Sequence, residues 1–147
     1  MFKRPESVLV VIHTLDGQVL QLRRRKPEGY WQSVTGSLLE DETPLKAALR
    51  EVREETGLPA DEGLGDTGIT NRYPIHPTWR DKFAPSVQEN TEYVFGLLLP
   101  ETVEISLAPS EHVEYRWLPR DAAAAQASST TDRDAILALV SPVSAGE

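Results

Sequence analysis

The sequence predicts an α+β fold, a mixed β-sheet held between helices as an α/β/α sandwich. Three observations predict it. Short strand-like runs recur along the chain, one amphipathic helix interrupts them in mid-sequence, and a second helix follows the last strand. The 147 residues make one domain, 1–147, long enough to bury about two thirds of the unfolded surface without staples.

The elements follow in order. Val8, Leu9, Val10, Val11 and Ile12 form a continuous apolar run, the pattern of a strand covered on both faces. Asp16-Gly17 then signals a hairpin, and residues 19–23 alternate as a half-buried return strand. Arg23, Arg24, Arg25 and Lys26 end it with the densest basic cluster of the chain. Pro27 and Gly29 break the backbone before a short extended segment at 31–36. Thr43 is a good N-cap with Pro44 at the first helical position, and Gly57 supplies the stop. Between them Leu45, Ala48, Leu49 and Val52 recur as one buried stripe. Residues 59–90, with scattered Gly and Pro, predict a strand or two joined by long loops. Strands follow at 93–99 and 113–118. A polar loop at 128–131 leads to a final helix from near Thr131 or Asp132, burying Ala135, Ile136, Leu139 and Val140 before a frayed tail at 141–147.

Composition narrows the chemistry. The net charge of −8 argues against nucleic acid and anionic membranes as partners. Cysteine is absent, which excludes disulfides, thiol nucleophiles and Cys-based metal sites. No apolar run approaches the length of a bilayer span, and the start lacks a signal peptide's apolar stretch, so a cytoplasmic protein is expected. His13, His76 and His112 do not form ligand spacing and read as structural or surface residues, with no zinc site. Trp31 and Trp117 read as core; Trp79 falls in the segment 59–80, where substrate shape would be read.

The predicted helix carries the informative pattern. Glu51, Glu54 and Glu55 fall within an arc of roughly 100° beside the buried stripe. Like charges at i,i+4 destabilise a helix unless something positive sits between them. Hard oxygen ligands at this density suit Mg²⁺ or Mn²⁺ bridging to substrate phosphates. Gly36, on the approach to the helix, lets the backbone come close to metal or phosphate, and Arg50 can hold one carboxylate through its planar fork.

The spacing is Gly36, five residues, Glu42, seven residues, Arg50-Glu51-Val52, one residue, Glu54-Glu55, one residue, Gly57-Leu58. It fits the Nudix box without departure, and the chain resembles a Nudix hydrolase. Lys3-Arg4-Pro5, residues 31–36, Phe83-Ala84-Pro85, Asn90-Thr91-Glu92, Glu111-His112 and Tyr115-Arg116-Trp117-Leu118 extend the resemblance over most of residues 3–140. They are similar to the branch of the family that hydrolyses 7,8-dihydroneopterin triphosphate and dATP. The resemblance implies the Nudix fold and a Mg²⁺-dependent enzyme, with Mn²⁺ as substitute. Its substrate would be a small-molecule triphosphate, cleaved to pyrophosphate and a monophosphate. By the same resemblance Glu51 and Glu55 would be the principal metal ligands beside Gly36. Glu54 would be a further ligand or the base, and Glu111 would complete the metal site or act as base, with Arg50 among the catalytic groups. Lys3 and Arg24 would grip the phosphates, Thr35 would line the pocket, and Ser129 would reach the substrate. Two other readings stand beside this one: a broader hydrolase for dATP or oxidised dNTPs, and a non-catalytic nucleotide-sensing module. Retention of Glu42, Glu51, Glu54 and Glu55 counts against the module.

Overall fold

A computed structural model of the chain describes residues 2–142. Its strands are β1 (Glu6–Thr14), β2 (Gln18–Arg24), β3 (Trp31–Gln32), β4 (Val34–Ser37), β5 (Leu64–Pro74), β6 (Glu89–Leu99) and β7 (His112–Pro119). Helix α1 (Pro44–Thr56) lies in mid-chain, and α2 (Arg120–Gln126) and α3 (Thr130–Leu139) follow β7. A short 3₁₀ helix spans Pro77–Lys82.

The sheet runs β3-β2-β1-β6-β5, with β4 also pairing β1 and β7 pairing β2. Among the described residues only β1 and β6 pair in parallel, Val10 opposite Phe95, so the sheet is mixed. Alternation along β1 feeds two cores. Val8, Val10 and Ile12 pack with Leu20, Leu22, Phe95 and Leu97 against Ala47, Ala48 and Val52 of α1. Leu9 and Val11 pack with Val19 and Val94 against Ala123 and Ala124 of α2 and Ala135 and Ile136 of α3. Each of the Val, Leu, Ile and Phe side chains contributes about 1.5–3 kcal/mol by burial, and each alanine less. Helices on both faces of a mixed sheet make the expected α/β/α sandwich.

Helix α1 starts and stops as its residues dictate. Thr43 accepts a hydrogen bond from the Lys46 N–H at 3.3 Å, and Gly57 adopts φ 75° while its N–H caps the Arg53 carbonyl. The buried face is rotated from the expected stripe. Leu45 is half exposed, and Ala47, Ala48, Glu51, Val52, Glu55 and Thr56 point inward. Two carboxylates therefore occupy core-facing positions.

Other expectations need correction. β2 is not half buried: Val19, Leu20, Gln21 and Leu22 are all enclosed, because α2 covers its second face. α2 itself is an unforeseen element, and α3 begins at Thr130, inside the segment expected to be a loop. The region 59–90 does hold a strand as expected, the eleven-residue edge strand β5, whose register shifts between Asp66 and Thr70. Of the tail expected to fray, residues 143–147 lie outside the described part of the chain.

Candidate active site

Strand β4 ends at Gly36 and Ser37, and the chain climbs through residues 38–43 into α1. Arg50 stitches this loop to the helix. Its Nε and Nη2 donate to the two Glu42 oxygens, each at 2.8 Å, and Nη2 also donates to the Ser37 carbonyl at 3.1 Å. Its Nη1 reaches Glu51 at 2.7 Å and Glu54 at 3.2 Å. Glu42 in turn accepts from the Leu39 N–H at 2.9 Å. A planar fork on three carboxylates at once fixes geometry that a lysine could not.

Glu51 lies directly over Gly36. A Cβ built at Gly36 would stand 2.3–2.6 Å from the Glu51 carboxylate, so only glycine lets that side chain take its place. Glu55, one turn further on, is 1% exposed, and neither of its oxygens has a hydrogen-bond partner. Burial, then the neighbouring Glu51 carboxylate and the charge of Glu111, push its carboxyl well above the usual range. A buried carboxylate with orphaned oxygens is costly unless a cation meets it. Glu55, Glu111 and His112 bring ligand atoms within 4.8 Å of one another. Together with Glu51 this oxygen-rich set fits a hard divalent cation.

His112, expected to be structural or surface, is buried at 2% exposure, and its Nε2 lies 3.7 Å from Glu55 Oε1, which adds it to the candidate site. The Gln32 amide donates to that Nε2 at 3.0 Å. Burial, then the charge of Arg24, depress its pKa to about 4, so the ring is neutral at pH 7 and its approach to Glu55 is no ion pair. Spacing in sequence could not reveal it, because its neighbours Glu55 and Gln32 sit on other elements. The adjoining Glu111-His112 pair was the available signal.

All ten sequence-predicted residues line one cavity of about 860 Å³: Lys3, Arg24, Thr35, Gly36, Arg50, Glu51, Glu54, Glu55, Glu111 and Ser129. They differ in how free they are. The Thr35 hydroxyl donates to the Val8 carbonyl at 2.8 Å and so is committed to the scaffold. Ser129 caps α3, accepting from the Asp132 N–H at 3.3 Å and sharing a hydrogen bond with Thr131. Arg24 donates to the Lys26 carbonyl at 2.6 Å and stacks over Trp79, which the structure thus places in the cavity wall. Trp31 is buried as expected.

Beyond these, the cavity carries acceptors that the sequence did not single out as site residues. Alternation puts Ser7 of β1 and Asn90 and Glu92 of β6 on the α3 side of the sheet, where the layer of Leu9, Val94 and Ile136 gives way to polar groups. Glu92 is 4% exposed and accepts from Asn71 and Tyr73, each at 3.2 Å. Asp132 is 1% exposed and takes the Ser33 N–H and hydroxyl, both at 2.7 Å. Burial raises the pKa of both carboxyls.

Comparison with known proteins yields consistent relatives. Residues 3–139 match the NUDIX domain family. The chain is 44% identical over 140 residues to the dihydroneopterin triphosphate diphosphatase of Escherichia coli K12, covering 92% of each chain. It is 37% identical to the Haemophilus influenzae protein of the same name, covering 92% of this chain and 87% of that one. The solved structure of the E. coli dihydroneopterin triphosphate pyrophosphohydrolase superposes with a TM-score of 0.89 at 42% identity, over 95% of this chain and 97% of that one.

Proposed function

The chain belongs to the Nudix hydrolase family, and from that premise we propose that residues 1–147 form one catalytic domain that hydrolyses 7,8-dihydroneopterin triphosphate to the monophosphate and pyrophosphate, cleaving dATP less efficiently. One observation carries the reading: buried, unpaired carboxylate oxygens and free cations face the same cavity. The relatives' names supply the substrate.

Glu51 and Glu55 would hold Mg²⁺, or Mn²⁺ as substitute, with one of Glu54 and Glu111 completing the site and the other left as base, and the Gly36 backbone leaves room for Glu51. Bound there, the metal neutralises charge on phosphoryl oxygens and lowers the pKa of water. Lys3 and Arg24 meet the remaining phosphate charge. A water attacks phosphorus, the bridge between the first and second phosphates breaks, and the released proton goes to Glu54 or Glu111. Arg50 is a positioning residue, since its hydrogen bonds go to Glu42, Glu51, Glu54 and the Ser37 carbonyl. Preference for the pterin rests on the acceptor wall of Glu92 and Asp132. A 2-amino-4-oxo ring edge presents adjacent N–H donors to such a wall, whereas adenine sets a ring acceptor beside its amino group. Mismatches of that kind leave buried polar groups unpaired and discriminate strongly. No helix among the described residues is long and apolar enough to cross a membrane, in keeping with a small-molecule enzyme of the cytoplasm.

The test is pyrophosphate release from dihydroneopterin triphosphate, dATP and 8-oxo-dGTP with Mg²⁺, compared as kcat/KM. The pterin should lead. A lead for dATP or 8-oxo-dGTP would remove the pterin assignment and leave the Nudix chemistry in place.

A further inference from the structure

Trp79 lines the cavity but has no part in the chemistry described so far. It stands on the 3₁₀ helix, in the segment 59–80 where the sequence led us to expect substrate shape to be read. Around its ring the fold gathers cations from separate parts of the chain. The Arg24 guanidinium lies 4.8 Å from the ring centroid and the Lys82 ammonium 5.0 Å. Tyr30 meets the same ring edge-on, with centroids 6.1 Å apart at 89°. A third cation, Lys3, is tied alongside through the backbone, its N–H donating to the Lys82 carbonyl at 2.7 Å. After burial, the charges of Lys3 and Arg24 depress the pKa of Lys82, and Glu111 opposes them. Lys82 is thus within electrostatic reach of two cations and of a carboxylate of the metal cluster.

Like charges drawn together repel, and this chain has carboxylates in surplus with which to separate them. Yet among the described residues Lys3, Arg24 and Lys82 form no salt bridge. An aromatic face attracts a cation without neutralising it, so the charge stays available to an anion. We propose that Trp79 is a positioning residue that holds Arg24 and Lys82 in place, and that with Lys3 they form a three-cation clamp on the outer phosphates, Lys82 touching phosphate directly. The clamp rests on the triphosphate reading above and adds Lys82 and Trp79 to it. It grips the part of the substrate that leaves as pyrophosphate, which pterin and purine substrates share.

The experiment uses inorganic tripolyphosphate, which has no ring, as a calorimetric ligand for the full chain, beside steady-state kinetics on dATP. Lys82→Met should weaken tripolyphosphate binding about tenfold or more. It should raise the KM for dATP in proportion, with kcat changing less than about threefold. Lys82→Arg should retain most of the binding. Trp79→Leu, which changes no charge, should reproduce the Lys82→Met loss, and Trp79→Phe should restore it. Unchanged tripolyphosphate binding in Lys82→Met would overturn the clamp. So would a Trp79→Leu defect seen with dATP but not with tripolyphosphate, because the ring would then be a partner of the heterocycle. If Trp79→Leu does not fold, the Lys82 pair decides alone. Tripolyphosphate binding does not depend on which triphosphate is cleaved, so a failed substrate assignment and a failed clamp give separate results.

Discussion

Replacing Gly36 by alanine isolates the site from the fold. The new Cβ would stand 2.3 Å from the Glu51 carboxylate carbon, which must retreat by about 1 Å to reach ordinary contact. The atoms that must move are the far end of a flexible side chain, so the fold need not yield. Gly36 has no positive φ, so alanine adds no backbone strain there, and the unfolded chain loses some freedom. Stability should therefore stay within about 1 kcal/mol, or about 2–4 °C in Tm. Glu51, however, must leave its 2.7 Å contact with Arg50 and its place beside Glu55. A displacement of about 1 Å in a positioned group is enough to lower turnover about a hundredfold. Calorimetric melting and pyrophosphate release across a Mg²⁺ titration read the two effects separately. Wild-type turnover in Gly36→Ala would refute the placement of Glu51 at the reacting centre. Global unfolding would refute it as well, by showing that the close approach serves the fold.

Three further outcomes are expected. Excess EDTA should abolish pyrophosphate release and added Mg²⁺ or Mn²⁺ restore it; full activity in chelator would end the metal mechanism. Glu55→Gln should lower turnover at least about a hundredfold, while the melting temperature without metal holds or rises, because a buried carboxylate without a cation is removed. An apoprotein that unfolds instead would make Glu55 structural. Burial raises the folded pKa of Glu92 above 4.5, so its contribution to stability is full below pH 4.5 and is lost as pH rises through the folded value. The melting temperature of Glu92→Gln relative to wild type should accordingly climb as pH rises above 4.5; a pH-independent difference would contradict the assigned cause.

What could be read from the sequence depended on contrast between neighbouring positions. Thr43, Pro44 and Gly57 mark the ends of α1 by local chemistry alone, and the structure keeps both ends. Its face was misjudged because Leu45 suggested a core position, whereas the fold turns Glu51 and Glu55 inward. α2 went unseen because Ala122, Ala123, Ala124 and Ala125 have no apolar–polar rhythm; only the structure shows that Ala123 and Ala124 are the buried pair. β2 was underestimated for the same reason, since α2 is what covers it. β5 is an edge strand with Gly65, Gly68 and a register shift, which blur the period of two. In the site, the box residues were legible because their spacing is local. His112 and Glu92 meet partners on other elements, and no short window along the chain contains both members of those pairs; Trp79 and Lys82 share one turn, but Arg24 and Lys3 reach them from distant segments.

The parallel pairing of β1 with β6 sets the order in which the site can come into being. Tyr93 and Glu6, joined across that pair, are 87 residues apart. Contacts at such separation form late, since a long loop must close before they return any stabilisation. β1, β4 and α1 are close in sequence and can assemble earlier, bringing Gly36, Glu51 and Glu55 together. A chain halted at that stage would hold two carboxylates of the proposed metal site but lack Glu111, which enters with the segment beyond β6. If the proposed site takes Mg²⁺, its affinity would then gauge completed folding, and the ion would stabilise only the state in which β7 has also paired with β2 and seated Glu111.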